Sequence, residues 1–297
     1  MQRENRLYWG IDGKAPVPSV KMYLSELRGL TPINFWEHTY AGNTDNGTAD
    51  LLGLLGVKAF NNPKPVQLLI RVLEHATKIS GDDIVLDFFS GSATTAQAVM
   101  QLNANDGSQR RFIMVQLPEM CDEISEAYNA GYKNICEIGK ERIRRAGKKI
   151  KEEAGLTAPA DLDIGFRCLR LSESNMQKVY YTPDELGQME LDSYVDNVKP
   201  DRTPEDLLFQ VMLDLGVLLS SSIKVKEIAG KKVFNVADGF LLACFDRDVT
   251  DETVKVIAQM KPYYAVFRDS SMASDSVATN FEQIFETYSP NTVRRVL

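Results

Sequence analysis

From Ile84 to Phe88 the chain reads Ile-Val-Leu-Asp-Phe, an apolar run interrupted only by Asp87 near its end. Such a run without polar alternation predicts a short strand buried on both faces. The turn 89–94 comes next, and Ala98, Val99 and Leu102 predict a helix from Thr94 to Leu102. Upstream, Leu68, Leu69, Val72, Leu73 and Ala76 recur at the three-four spacing of an amphipathic helix over Val66 to Lys78, with Pro65 in its first turn. Downstream, Asn103 to Gly107 reads as a turn and Arg110 to Leu117 as the next strand. Helices are predicted over Glu123 to Tyr128 and Lys133 to Glu152.

Residues 1 to about 60 have no such order. Leu7 to Trp9 reads as a short strand closed by Gly10 to Gly13, and Pro16, Pro18 and Pro32 break the next segment. Asn43-Thr44-Asp45-Asn46-Gly47 is a loop signal, and Ala49 to Leu55 a short helix. Trp9, Tyr23 and Trp36 are better read as small-core aromatics than as a nucleic-acid contact. Gly155 to Asp163 reads as a linker, and 165–171 alternates like a strand. Residues 172–201 are polar and loop-rich. Thr203 caps a helix with Pro204 at its first position, running to Leu213 or Leu215. Three strands come after it, Ile223 to Ile228, Lys232 to Val236 and Phe240 to Phe245, joined by turns at Ala229-Gly230 and Asp238-Gly239. A helix over Thr250 to Met260, a strand over Tyr263 to Arg268, a helix over Ser274 to Glu286 and a strand over Val293 to Val296 complete the chain. The expected domains are 1–59, irregular; 60–160, built on the central strand-turn-helix; and 161–297, a second, smaller α/β domain.

The chain has 297 residues, room for two domains, with 44% hydrophobic and 25% charged residues, as in globular proteins. No apolar run reaches membrane-spanning length, and the N-terminus lacks a signal-peptide pattern. Cys121, Cys136, Cys168 and Cys244 are far apart, which favours reduced thiols and a cytoplasmic protein. His38 and His75 alone make no metal site. With a net charge of -7, any DNA contact falls on a local patch. The basic run Lys140, Arg142, Arg144, Arg145, Lys148, Lys149 and Lys151 is interleaved with Glu137, Glu141, Glu152 and Glu153, and reads as a solvated helix face.

The central stretch carries the chemistry. In open parallel sheets, ligands bind at the carboxyl ends of strands, where the next helix begins and free N–H groups attract anions. Here there is no Gly-Lys-Ser/Thr for a phosphate loop and no Gly-x-Gly-x-x-Gly for a dinucleotide. Asp87-Phe88-Phe89-Ser90-Gly91-Ser92-Ala93-Thr94-Thr95 instead resembles the Asp-x-Phe-x-Gly-Ser-Gly-Thr-Thr signature of S-adenosylmethionine (SAM)-dependent DNA amino-methyltransferases. Ala93 departs from it, standing where the family usually has Gly, and an alanine disfavours a positive φ. By that resemblance the cofactor is SAM, held by Asp87, Phe88, Phe89, Ser90, Gly91, Ser92 and Thr94, with Lys64 of the preceding Lys-Pro facing its carboxylate. Read alone, Lys64 is a surface lysine; its place just ahead of the signature reverses that preference. The family usually has an acidic residue where Gln116 falls, at the end of the second strand, for the ribose. Gln116 and Glu119 rank nearly equal for that role.

Residues 60–120 and the tail, with Gln101-Leu102-Asn103, Arg110-Arg111-Phe112-Ile113 and Gly165-Phe166 through Ser174-Asn175, resemble the modification subunit of Type III restriction–modification systems, a DNA adenine-N6 methyltransferase. The resemblance implies a partial, Rossmann-like methyltransferase sheet followed by an assembly domain. It implies DNA as substrate, a homodimer through the C-terminal domain and a restriction (helicase–nuclease) subunit as partner. The family's catalytic Asp-Pro-Pro-Tyr loop does not occur here, so no catalytic residue is assigned and the chain alone is expected to be inactive. Residues 1–59 then correspond to the tail of target recognition. The alternative is a non-catalytic binding or assembly module that completes a methyltransferase supplied by another chain.

Overall fold

The computed structural model describes residues 6–26, 31–79, 81–177, 197–269, 272 and 275–297. They form two compact units, Met1–Phe166 and Arg167–Leu297.

In the first unit, β1 (Leu7–Tyr8) pairs antiparallel with β2 (Ser19–Val20), and α1 (His38–Ala41) leads into α2 (Thr44–Leu55). The loop signal at Asn43 to Gly47 is in fact a helix start. The Asn43 side chain accepts from the Asn46 N–H while the Asn46 side chain accepts from the Asn43 N–H, a reciprocal cap. Gly47 lies inside α2 because a Cβ there would fall 2.1 Å from the Pro63 carbonyl oxygen. The helix therefore packs directly on 63–65, and Leu51 and Leu55 share a core with Ala127 and Ile138.

Next come α3 (Val66–Ala76), β3 (Ile84–Asp87), α4 (Thr94–Asp106), β4 (Arg111–Met114), α5 (Glu126–Asn129) and α6 (Ile135–Ala154). Strands β3 and β4 are parallel, Ile84 opposite Arg111 and Asp87 opposite Met114, with α4 as the crossover. Leu73 of α3 packs with Ala98, Val99 and Leu102 of α4 over Val85 and Phe112. Ile143, Ala146 and Ile150 of α6 close on Ala96, Met100 and Met114. Leu162, Ile164 and Phe166 join that cluster, which carries the unit past the expected linker. The expectation of a strand buried on both faces fails. Ile84 and Leu86 are 54% and 59% exposed and Ile113 50%, because the described helices cover only the face that Val85 and Phe112 present.

In the second unit, α7 (Pro204–Asp214) starts with a capping box between Thr203 and Asp206. A five-stranded sheet runs in the order β5 (Ile223–Ile228), β6 (Lys231–Val236), β7 (Leu241–Cys244), β8 (Tyr264–Phe267), β9 (Val293–Val296). The first three strands are antiparallel, and β7, β8 and β9 are parallel. The crossovers are α8 (Asp251–Gln259) and α9 (Asp275–Tyr288). Helix α7 covers one face through Leu208, Val211 and Met212 on Phe234, Val236 and Leu241. The other two cover the opposite face through Ile257, Phe281 and Phe285 on Val233, Leu242 and Phe267. The strand predicted over 165–171 does not form. Its alternating pattern finds no ladder partner, and the Arg167 guanidinium instead donates to the backbone carbonyls of Leu219 and Ser221. Part of the loop-rich stretch 172–201, residues 178–196, lies outside the described residues, as does Ser274 of the predicted last helix. No helix among the described residues is long and apolar enough to cross a membrane.

Candidate functional site

The site begins where β3 ends. The Ser90 N–H donates to the Val115 carbonyl (3.0 Å) and the Ala93 N–H to the Ser90 carbonyl (2.7 Å), so the chain turns sharply before α4. Gly91 takes φ +51° and Ala93 φ +60°. Alanine thus adopts the left-handed conformation its side chain disfavours, and its methyl is buried among Ala96, Met100 and Ile143. A Cβ on Gly91 would stand 3.2 Å from the Phe60 ring, so the loop backbone passes close beneath that aromatic. The Thr95 hydroxyl donates to Asp87 Oδ2 at 2.6 Å, tying the strand end to the first turn of α4.

Two features bear on ligand binding. Helix α4 starts at Ala93 without a side-chain cap, and its first turn, Thr94 to Ala96, is buried. Phe88 and Phe89 are exposed, their rings edge-on at 5.3 Å. A cavity of about 340 Å³, lined by Phe60, Asn61, Met120, Cys121, Ser125 and Ile138, adjoins the loop through Phe60. Burial pushes the Cys121 thiol above its ordinary value, so it stays protonated. Among the described residues no cluster of metal-binding side chains gathers.

The predicted residues divide. Asp87 to Thr94 form one continuous turn, and Gln116 joins it by accepting the Gly91 N–H at 2.7 Å. Glu119 and Lys64 are exposed, and neither side chain hydrogen-bonds the turn. Lys64 stands between buried Pro63 and Pro65, which fix its backbone against α2.

Sequence reading missed Arg142. Most of its neighbours form the solvated face expected, with Arg145 on Glu141 at 2.7 Å and Lys140 on Glu137 at 2.6 Å. Arg142 is instead fully buried. Its Nη1 donates to Thr94 Oγ1 (2.6 Å) and Ser92 Oγ (2.9 Å), and its Nε to Gln97 Oε1 (2.8 Å). Burial lowers its pKa to about 10, against a counteracting pull from Asp50, so it remains a cation at neutral pH. The signal was present: Ile138, Arg142, Ala146 and Ile150 fall at four-residue spacing, on one buried row of α6.

The sequence that builds this turn has parallels in known proteins. A DNA methylase family model matches residues 8–147, which contain the whole site. The chain is 36% identical over 188 residues to the Type III restriction-modification enzyme StyLTI Mod subunit of Salmonella typhimurium, covering 63% of this chain and 27% of that protein. It is 33% identical over 219 residues to the EcoPI Mod subunit of Escherichia phage P1, 74% of this chain and 32% of that one. A Type II methyltransferase, M.KpnI of Klebsiella pneumoniae, is 29% identical over 130 residues, 44% of this chain and 30% of its own length. The chain thus spans about a third or less of the length of the curated relatives it matches. By these matches residues 8–147 are similar to the DNA methylase family, and the chain is similar to one part of Type III modification subunits.

Proposed function

We propose that this chain carries the SAM-binding half of a Type III DNA adenine-N6 methyltransferase. The observation that carries the reading is the turn from Asp87 to Thr95. It closes a parallel strand, opens an uncapped helix and passes under Phe60 beside a cavity of about 340 Å³. These residues fit the cofactor. The first-turn N–H groups of α4 suit its carboxylate, with Lys64 as a second cation on the segment before α3. The cavity suits the adenosine, and Gln116 or Glu119 the ribose. The exposed rings of Phe88 and Phe89 are apolar surface for a ligand to cover. SAM supplies an electrophilic methyl group when bound. The residues here orient it and exclude water, and none is placed to take up the amino proton of an adenine.

Activity on DNA then requires an acceptor side. Holding donor and acceptor in line is worth roughly 7–11 kcal/mol of barrier, and the Pro-Pro-aromatic loop that the resemblance implies is not in this sequence. We therefore expect no transfer by this chain alone. DNA, a second copy through the C-terminal unit, a restriction subunit and a cytoplasmic setting belong to the same proposal. Calorimetry with SAM tests it. Gly91→Trp forces a bulky side chain onto Phe60 at a positive φ and is expected to abolish binding; equal affinity would remove the site. Tritium transfer from SAM to duplex DNA checks the activity, and robust transfer by the chain alone would contradict the assignment.

A second reading has its own observation. The bare face of β3 and β4, with Ile84, Leu86 and Ile113 exposed, suits a module that completes a methyltransferase supplied by another chain.

A further inference from the structure

We propose that Arg142 is a positioning residue for the donor: its buried cation holds the Ser92–Thr94 turn from beneath and readies the start of α4 for a carboxylate. The inference rests on the reading of that turn as the donor site.

Two buried arginines flank α4, one at each end, and they differ. Arg110, at the C-terminal end, pairs with Asp106 at 2.9 Å and donates to the Thr77 hydroxyl at 2.6 Å. It is a closed structural pair, a cation where a helix end favours one. Arg142 sits at the opposite end. Its acceptors are the two hydroxyls and one amide oxygen named above, all neutral, and it forms no ion pair with any described residue. Its Nη2 is buried without a partner. A cation beside the N-terminus of a helix meets the positive end of the helix dipole. Burial with no carboxylate in hydrogen-bonding reach adds a desolvation cost, which Asp50, acting only through space, offsets in part. Both costs fall when an anion arrives at the uncapped first turn of α4, next to Thr94. The site is therefore electrostatically incomplete without a negatively charged ligand, and the amino-acid end of the donor carries such a group. The hydroxyls of Ser92 and Thr94 relay the contact, so Arg142 acts through the turn rather than by touching the donor.

The experiment compares SAM with decarboxylated SAM, by calorimetry, on the full chain and on Arg142→Gln and Arg142→Lys. Thermal melts are recorded alongside. Wild type is expected to prefer SAM. Arg142→Gln is expected to lose about tenfold in SAM affinity while decarboxylated SAM changes less than twofold, because only the former offers the carboxylate. Arg142→Lys keeps the charge and is expected to retain the preference; should the Gln variant fail to fold, loss of the preference in the Lys variant overturns the proposal. Unchanged SAM affinity in Arg142→Gln overturns it, as does an equal loss for both ligands, which would mean a purely structural role. Wild type binding neither ligand removes the donor site itself, and this role with it.

Discussion

The chain builds two sheets from similar apolar runs and treats them differently. In the second unit, Leu241 to Cys244 and Ala265 to Phe267 are at most 1% exposed, with helices on both faces. In the first, Ile84, Leu86 and Ile113 are at least half exposed, although they too lie in parallel strands. Parallel strands read as continuous apolar runs because both faces are normally covered. The run at Ile84 to Phe88 thus specifies a surface made to be covered, while the described helices supply only one layer. The second unit satisfies its own pattern; among the described residues the first leaves part of its own open.

The largest effect that tests this contrast lies in the second unit. Phe285 is fully buried, its ring against Phe281 and Phe267. Phe285→Ala is expected to cost about 3–5 kcal/mol, and Ile113→Ala less than about 1 kcal/mol. Trp9 and Trp36 both fall in the first unit, so tryptophan fluorescence follows that unit in a urea titration while circular dichroism follows both. Equal losses from the two substitutions would break the contrast.

A gentler perturbation sharpens it. Leu86→Lys with Ile113→Lys puts two charges on the bare face, where each side chain reaches water. The first unit is expected to keep its urea midpoint within the equivalent of about 1 kcal/mol, since substitutions at such exposed positions rarely do more. Binding of a hydrophobic-surface dye is expected to fall. Loss of the tryptophan transition would mean the face is covered in solution.

Legibility tracked how local the cause was. The helix at Thr203, the hairpin turn at Ala229-Gly230 and the turn at Asp87 to Thr94 are set by neighbouring residues, and their sequence shows them. The start of α2 was misread because Asn43 and Asn46 form a cap as readily as a loop. The fact that decides it, Gly47 pressed on the Pro63 carbonyl, is a long-range contact. The strand misread over 165–171 had the right alternation and no partner, and pairing is not visible in a single segment. Arg142 was lost among exposed basic neighbours, although its four-residue spacing from Ile138 and Ala146 marked it as facing inward.

The smallest predicted effect concerns Ala93, where two terms nearly cancel. Its φ of +60° strains a residue with a Cβ. Relieving such strain with glycine gains somewhat more than the roughly 0.4–1 kcal/mol that glycine loses through a freer unfolded chain. Against that, the methyl is 2% exposed, packed among Ala96, Met100 and Ile143. Removing one buried methyl costs about 0.8 kcal/mol. Nor does the methyl crowd α6: a Cβ on Gly139 would still stand 3.4 Å from it, an ordinary contact. Ala93→Gly is therefore expected to move the urea midpoint of the first unit by the equivalent of less than about 0.5 kcal/mol. A gain above about 1 kcal/mol would mean that strain dominates and alanine is held there at a cost to stability. A loss of that size would mean that the buried methyl is what keeps the turn closed against α6.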